Sequence, residues 1–329
     1  MEVAAMRYAL VASLLVSSLV LTAPASSTPP PGVGPPPGLV GSFTYSQAVL
    51  HGIPTLPTPA QLGLPPCHPD PTWKGFSSPA AAEAALQGAA AEASECAADP
   101  TQVVYSVGVP GPESTGSGSG HRYSGAETNA AYQGGRATIE VGNPNVVHDG
   151  SVNQFVASRV LAKTPINNWV EAGWAEVSWQ GDTRYTYSYA NPGRVWHFHT
   201  QYPLTTGNYY IWRARDNGNT SGYGEIYWAG TWAVLENNGS MLCQYSYGTN
   251  NCYMEEYMEA YSATGSWPSM NAPVDGSGVN FSNTMLRTAP SNYVYWNDSL
   301  YPSSERADSP YSVCWTNMDW NFRSPQGLC

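Results

Sequence analysis

The sequence has few charged residues and lacks the short motifs of several common enzyme classes. Only 11% of its 329 residues are charged, and 24 acidic against 13 basic residues give a net charge of −11. A basic patch for nucleic acid or an anionic membrane surface is therefore not predicted. Gly-x-Ser-x-Gly, His-Glu-x-x-His and P-loop motifs are absent, which argues against the serine, zinc and nucleotide chemistry that they support.

Long apolar runs are absent too, apart from one close to the N-terminus. Arg7 precedes an apolar run over 8–21, and Ala23-Pro24-Ala25 supplies small residues for signal-peptidase cleavage. A run this short is typical of a secretory signal peptide rather than a membrane anchor. We therefore expect residues 1–25 to be a signal peptide and the protein to be secreted.

The six cysteines lack the Cys-x-x-Cys spacing of a zinc site, and in an exported protein they favour disulfides. Sequence does not choose among the pairings, and we expect neighbours to pair because each pair closes a short loop. The expected bridges are Cys67–Cys96, Cys243–Cys252 and Cys314–Cys329. No metal or other cofactor is predicted.

Composition divides the chain into a linker-like part and a β-rich part. Residues 26–66 are rich in Pro, Ser and Gly, which is typical of a polyproline-like linker. The Ala-rich stretch 78–97, with Ser78 as its N-cap, predicts a helix, and residues 111–121 predict a flexible hinge. From 122–329, short alternating runs between turn signals predict an all-β fold, an antiparallel β-sandwich.

A predicted strand over 169–179 places one glutamate among apolar neighbours. Side chains alternate along a strand, so Glu171 shares a face with Trp169 and Gly173, while Glu176 points the other way and can be solvated. An ionised carboxylate beside small and apolar residues is costly unless it has a partner. Glu171 is therefore a candidate functional residue.

A second predicted strand, over 252–262, carries further acidic residues. Glu255 and Glu259 alternate with tyrosines on one face, and Glu256 lies among methionines on the other. The tyrosine face fits either a platform for an extended ligand or an ordinary solvated surface. Two carboxylates that meet across a sheet differ in pKa and can serve as base and acid towards a peptide or glycosidic bond.

Two histidines, His197 and His199, lie on one face of another predicted strand. No clear third ligand is near them in sequence. We therefore interpret them as structural or pH-responsive rather than metal-binding.

Four segments together resemble the neprosin domain: "ATIEVGNPNV" (137–146), "FVASRV" (155–160), "WVEAGWAEV" (169–177) and "GDTRYTYSY" (181–189). The resemblance implies a neprosin-like or concanavalin-like β-sandwich. It also implies a secreted glutamic endopeptidase that has a prosegment and cuts after proline at acid pH, using two glutamates.

Carried over to this sequence, the resemblance places Glu171 at the first catalytic position and Glu259 at the second, with Glu256 as the runner-up. It makes residues 26–121 a propeptide and polypeptides the substrate. Candidates for the substrate groove are Trp174, Tyr257 and Tyr261.

Two other functions stay open at the level of sequence. The 12 tryptophans and 22 tyrosines suit a carbohydrate-binding or glycan-cleaving sandwich, because aromatic rings stack on sugars. A catalytically silent secreted interaction protein is the third hypothesis, in which the setting of Glu171 has no chemical role.

Overall fold

The structure is a computed structural model that describes most of the chain from Gly34 onwards. The described residues are 34–88, 93–113, 120–150, 153–217, 221–239, 241, 243, 252–269, 278–289, 292–296, 300–301, 303–317 and 321–324. The predicted signal peptide, residues 1–25, lies outside them. Within these ranges no helix has both the length and the apolar character needed to cross a membrane.

The described chain consists mainly of β-strands with a few short helices. The helices are α1 (Tyr45–Leu50), α2 (Pro59–Leu62), α3 (Pro79–Gly88) and a 3₁₀ turn (Pro100–Gln102). The strands are β1 (Gly41–Phe43), β2 (Glu95–Ala97), β3 (Val103–Val107), β4 (His121–Thr128), β5 (Gly134–Glu140), β6 (Gln154–Lys163), β7 (Trp169–Val177), β8 (Tyr185–Asn191), β9 (Trp196–Pro203), β10 (Tyr209–Asp216), β11 (Gly222–Trp228), β12 (Thr231–Asn238), β13 (Tyr253–Ser262), β14 (Val279–Ala289), β15 (Asn292–Tyr295), β16 (Ser303–Ala307), β17 (Cys314–Asn317) and β18 (Asn321–Ser324).

These strands form two sheets, which confirms the predicted antiparallel β-sandwich. The first sheet has the order β1-β3-β9-β8-β7-β6-β13-β4-β16, and the second has the order β17-β18-β14-β5-β10-β11-β12-β2, with β15 paired to β14. Neighbouring strands are antiparallel except β12 and β2, which run parallel. The predicted strands over 169–179 and 252–262 are β7 and β13, next to β6 on either side.

The main core lies between the two sheets. Alternate residues of both sheets fill it, among them Val160, Ala172, Met258, Ile139, Trp212 and Ile226. The opposite face of the first sheet, here called the outer face, carries a second apolar cluster that includes Phe155, Tyr187 and Trp196. Because side chains alternate, each of β6, β7 and β13 therefore contributes to two buried layers.

The N-terminal part is not the linker that its composition predicts. β1 pairs with β3, and β3 pairs with β9, so this part extends the first sheet. Thr44 and Thr58 each cap a short helix in a capping box with the glutamine three residues later, Gln47 and Gln61. These boxes satisfy free amide groups at the helix starts and are visible in the sequence as Thr-x-x-Gln.

The predicted helix over 78–97 is shorter than expected. It begins at Pro79, with Ser78 Oγ accepting from the amide of Ala81 at 3.2 Å, and ends at Gly88. Residues 95–97 form β2 instead, because Cys96 is bridged to Cys67 and the strand pairs with β12. Long-range pairing thus overrides the helical propensity of alanine.

Two of the three expected disulfides are confirmed. Cys67–Cys96 and Cys243–Cys252 have Cα atoms 5.0 and 4.9 Å apart. Cys314 is also disulfide-bonded, while Cys329, its expected partner, lies outside the described residues.

Gly173 of β7 marks a close approach between β6 and β7. A Cβ atom there would lie 2.0 Å from the carbonyl oxygen of Ser158 and 2.8 Å from the Cα of Arg159. We expect Gly173→Ala to lower the free energy of unfolding by about 1–3 kcal/mol, since backbone must move to admit the methyl group. Urea unfolding measures this loss, with Gly34→Ala as control because no heavy atom lies within 4 Å of its Cβ position. Equal stability of the two variants would contradict the prediction.

Candidate active site

The outer face of the first sheet gathers an unusual number of charged side chains at its centre. Arg159 of β6 lies opposite Gly173 of β7 on one side and Tyr257 of β13 on the other. Glu171 and Glu259 lie two residues from these partners and so point to the same face. Strand register alone therefore brings both candidate glutamates beside one arginine.

Arg159 is the centre of this cluster. Its side chain is wholly buried, and its Nε lies 2.8 Å from Glu171 Oε2 while its Nη1 lies 3.0 Å from Glu259 Oε2. Its Nη2 lies 3.4 Å from Glu255 Oε2. Burial opposes the charge, but the carboxylates raise the pKa of Arg159 above its ordinary value, so the guanidinium stays charged.

Glu171 is wholly buried, and its partner is Arg159 rather than solvent. The Tyr187 hydroxyl donates a hydrogen bond of 3.1 Å to its second oxygen, Oε1. Loss of hydration on burial raises the pKa of Glu171 to about 8, although attraction to Arg159 opposes the rise. Burial therefore favours the protonated form of the Glu171 carboxyl.

Glu259 is also wholly buried and has a different set of partners. His121 of β4 places its Nδ1 2.7 Å from Glu259 Oε1. The ring of His121 packs against those of both Phe155 and Tyr261. The same carboxylate oxygen accepts a 3.2 Å hydrogen bond from the backbone amide of Glu113. Glu259 thus joins the arginine centre to a histidine and to a main-chain amide.

Glu255 connects the cluster to a second cation. Lys163 Nζ lies 2.6 Å from Glu255 Oε1 and 2.9 Å from Glu127 Oε1. Burial raises the pKa of Glu255, and the attraction of Lys163 and Arg159 opposes that rise. The tyrosine face of β13 therefore carries a buried ionic network. It is not the ordinary solvated surface that the sequence left open as an alternative to a ligand platform.

A short piece of chain lies over this network. Residues 109–113, here called the covering segment, follow β3 and pass across the outer face. Arg159 Nη2 donates a 2.8 Å hydrogen bond to the carbonyl oxygen of Glu113, and Trp196 Nε1 donates one of 2.9 Å to that of Pro110. The sequence predicts a flexible hinge over 111–121. Its first residues, 111–113, belong to the covering segment, in which Glu113 is hydrogen-bonded to Arg159. Residues 114–119 lie outside the described residues.

A cavity of about 510 Å³ continues beside the covering segment. Its walls include the segment itself together with Trp169 and Tyr189 from the first sheet and Arg194 from the turn between β8 and β9. The outer face thus forms a cleft that is partly filled by the chain's own residues and partly open.

The structure does not bring Glu256 and Trp174 into this cleft. Glu256 points between the sheets, where it is buried and neither carboxyl oxygen has a hydrogen-bond partner in the described part of the chain. Trp174 is buried in the same inter-sheet core, and its Nε1 donates to the carbonyl of Glu140 at 2.8 Å. Both side chains lie on the opposite face from Glu171 because their strand positions have the opposite parity.

The two tyrosine candidates lie on the cleft side. Tyr257 is almost fully buried, with its ring centre 6.0 Å from the Arg159 guanidinium carbon. Tyr261 is half-buried and stacks on Phe155 at 5.6 Å. Trp212 and Trp296 are buried in the inter-sheet core, so these two side chains offer no surface on which a sugar could stack.

Sequence reasoning assigned no role to Arg159, His121 or Tyr187. A signal for Arg159 was present, because an arginine on a strand whose neighbours are apolar needs a buried carboxylate partner. Glu176 was interpreted as solvated, but it is buried, with its oxygens 3.0 Å from His148 Nε2 and 2.9 Å from Arg184 Nε.

The pair His197 and His199 takes part in a second buried polar group, away from the cleft. His197 Nδ1 lies 2.6 Å from Glu236 Oε2, and His199 Nε2 lies 2.8 Å from Ser188 Oγ. The Ser188 hydroxyl also donates to Glu236 Oε2 at 3.1 Å, which links the two sheets. Burial lowers the pKa of His199 well below its ordinary value and so favours the neutral imidazole.

No protein-family model matches the sequence, and no curated protein matches it. Among solved structures, scytalido-glutamic peptidase with a peptide-based transition-state analogue is similar at 11% identity and a TM-score of 0.43, covering 62% of this chain and 98% of that one. A second complex of that peptidase, with a transition-state analogue inhibitor, is similar at 12% identity and a TM-score of 0.42, with the same coverage of both chains. SCP-B, a member of the Eqolisin family of peptidases in complex with the tripeptide Ala-Ile-His, is similar at 10% identity and a TM-score of 0.39, again with the same coverage. These similarities are too low to assign the chain to a family.

Glu256 provides a test of the electrostatics of the core. Burial raises its pKa well above the ordinary value of 4.5, so the folded protein keeps its proton where the unfolded chain has lost it. Its contribution to stability is full below about pH 4.5 and is lost as pH rises, by up to about 1.4 kcal/mol per unit. We expect Glu256→Gln, which cannot ionise, to raise the free energy of unfolding at neutral pH and to change it little in acid. Urea unfolding at both pH values measures this difference.

The control for this prediction is Glu225, a buried glutamate whose pKa is shifted in the opposite direction. Burial tends to raise the pKa of Glu225, but Arg213 and Arg215 more than offset this and hold it below its ordinary value. Glu225→Gln is therefore expected to destabilise the protein most at neutral pH. A Glu256→Gln variant that behaves in the same way would show that Glu256 is ionised in the fold.

Proposed function

We propose that the protein is a secreted glutamic endopeptidase that acts in acid on polypeptides, with Glu171 and Glu259 as its catalytic pair. The observation that carries this proposal is the cleft itself. Two buried carboxyl groups bind one guanidinium, and a stretch of main chain lies over them with its amide directed at one carboxylate. The resemblance to the neprosin domain points to the same two residues.

The environments of the two glutamates suggest different roles. In this proposal Glu259 takes a proton from a water molecule, whose oxygen attacks the carbonyl carbon of the scissile peptide. Glu171, in the protonated form that its burial favours, donates a hydrogen bond to the carbonyl oxygen as negative charge develops there. Glu259 then passes its proton to the amide nitrogen while the C–N bond breaks, and an acid and an amine are released.

The covering segment supports a preference for cleavage after proline. The amide that donates to Glu259 belongs to Glu113, whose nitrogen is bonded to the carbonyl carbon of the buried Pro112. A substrate lying along the same path would place the nitrogen of a Pro-x bond 3.2 Å from the proposed proton donor. In this proposal the expected propeptide, residues 26–121, is cut after Pro112, and the covering segment has to leave the cleft before another polypeptide enters.

The buried carboxyl groups support an acidic working range. Burial raises the pKa values of Glu171, Glu255 and Glu256, so the fold favours their protonated forms. Acid therefore does not remove stabilising ionised forms of these groups. The predicted signal peptide supports export.

The catalytic pair is tested by cleavage of an unfolded, proline-containing protein across the acid range. We expect Glu171→Gln and Glu259→Gln each to lower kcat by about 100- to 10,000-fold, because each removes a proton-transfer or charge-stabilising group. Glu256→Gln, in the same strand as Glu259 but on the opposite face, is the matched control and should cleave as the wild type does. Folded Glu171→Gln with wild-type activity would refute the proposal.

Acid incubation of the full chain tests the proline preference. We expect the chain to cleave itself between Pro112 and Glu113, because that bond lies beside Glu259, and mass spectrometry would identify a fragment that begins at Glu113. Glu259→Gln should not form this fragment, and Pro112→Ala should form it more slowly. A self-cleavage site elsewhere, unaffected by Pro112→Ala, would count against cleavage after proline.

A further inference from the structure

Arg159 makes more contacts than neutralising its neighbours requires. Its Nε and Nη1 bind the two proposed catalytic glutamates, and its Nη2 donates to the main-chain carbonyl of Glu113 at 2.8 Å. The Nε and Nη1 contacts are ion pairs, whereas the Nη2 contact is a hydrogen bond, whose direction a planar guanidinium fixes better than the compact ammonium group of lysine can. One side chain thus lies within ion-pair distance of both carboxyl groups and also donates a directed hydrogen bond to a peptide carbonyl.

The carbonyl that Arg159 holds is at a defined place along the chain. Glu113 donates its amide to Glu259 and accepts from Arg159 through its own carbonyl, so both polar groups of one residue are bound. Both contacts are to the main chain and do not depend on which side chain the residue carries. They fix the position of the residue that follows the bond beside Glu259.

We propose that Arg159 is a positioning and substrate-binding residue of the proposed peptidase. It aligns Glu171 and Glu259 with each other and binds the carbonyl of the substrate residue on the C-terminal side of the scissile bond. This inference rests on the proposed function for its catalytic part, while the binding of a main-chain carbonyl stands independently of it. The site accordingly recognises that residue by its backbone and accepts varied side chains there.

Hydrogen exchange on the unprocessed full chain at neutral pH tests the binding part without any turnover. The peptide spanning 108–113 is protected when the covering segment is bound to Arg159 and Glu259. We expect Arg159→Gln to increase its exchange rate by about 10- to 100-fold, the effect of losing one hydrogen bond to a charged group. Lys163→Gln is the matched control: it removes a neighbouring cation from Glu255 but leaves these contacts intact, and it should keep wild-type exchange.

Steady-state kinetics after acid processing test the catalytic part. We expect Arg159→Gln to raise KM because a substrate contact is lost, and also to lower kcat because the two glutamates are no longer held together. Arg159→Lys keeps the charge but not the planar donors, and we expect it to show both effects in smaller degree. Changing the substrate side chain after the scissile bond should alter kcat/KM little in the wild type.

The outcomes separate this inference from the proposed function. A folded Arg159→Gln with wild-type exchange over 108–113 and wild-type KM would overturn it. If Arg159→Gln does not fold, the same two results for Arg159→Lys would overturn it. If the wild type cleaves no polypeptide while Arg159→Gln still loses protection over 108–113, the peptidase proposal fails and the main-chain binding by Arg159 stands.

Discussion

The outer face of the first sheet depends on a single buried cation. Three carboxyl groups, those of Glu171, Glu255 and Glu259, have been taken out of water around Arg159, whose charge offsets part of the cost of burying them. Removing one partner of such a network typically costs about 3–5 kcal/mol, because the remaining charges stay buried. The ion pairs that stabilise the sheet therefore also hold the proposed catalytic groups together. A substitution of Arg159 is expected to change both the stability of the fold and the proposed catalysis.

Strand pairing, rather than loop geometry, sets the distances within the cleft. Arg159 lies on β6, between the strands that carry Glu171 and Glu259, and Gly173 lets β7 approach β6 closely. A one-residue shift in either pairing would turn a glutamate into the inter-sheet core. Sites built on paired strands in this way are held more rigidly than sites on loops.

The sequence allowed the faces of the key strands to be predicted, but not their partners. Alternation placed Glu171 and Glu259 on one face of each strand and Met258 on the other, because side-chain direction is a local property of an extended chain. The role of Arg159 depends on which strands lie beside β6, and that is a long-range property. For the same reason Trp174 was assigned to the groove, although its parity opposes that of Glu171. The proline and glycine content of the N-terminal part predicts a linker, whereas its three strands depend on long-range pairing with β9 and β12 that composition does not show.

The N-terminal part is built into both sheets, and this has a consequence for any cut after Pro112. β1 and β3 belong to the first sheet and β2 to the second, while the Cys67–Cys96 bridge lies entirely before the cut. Cleavage would break the covalent chain but leave these strands hydrogen-bonded in place. The mature molecule would then be a non-covalent two-chain protein. Its smaller chain would still pair with β9 and shield that edge from pairing with other molecules, so the cut alone does not expose it.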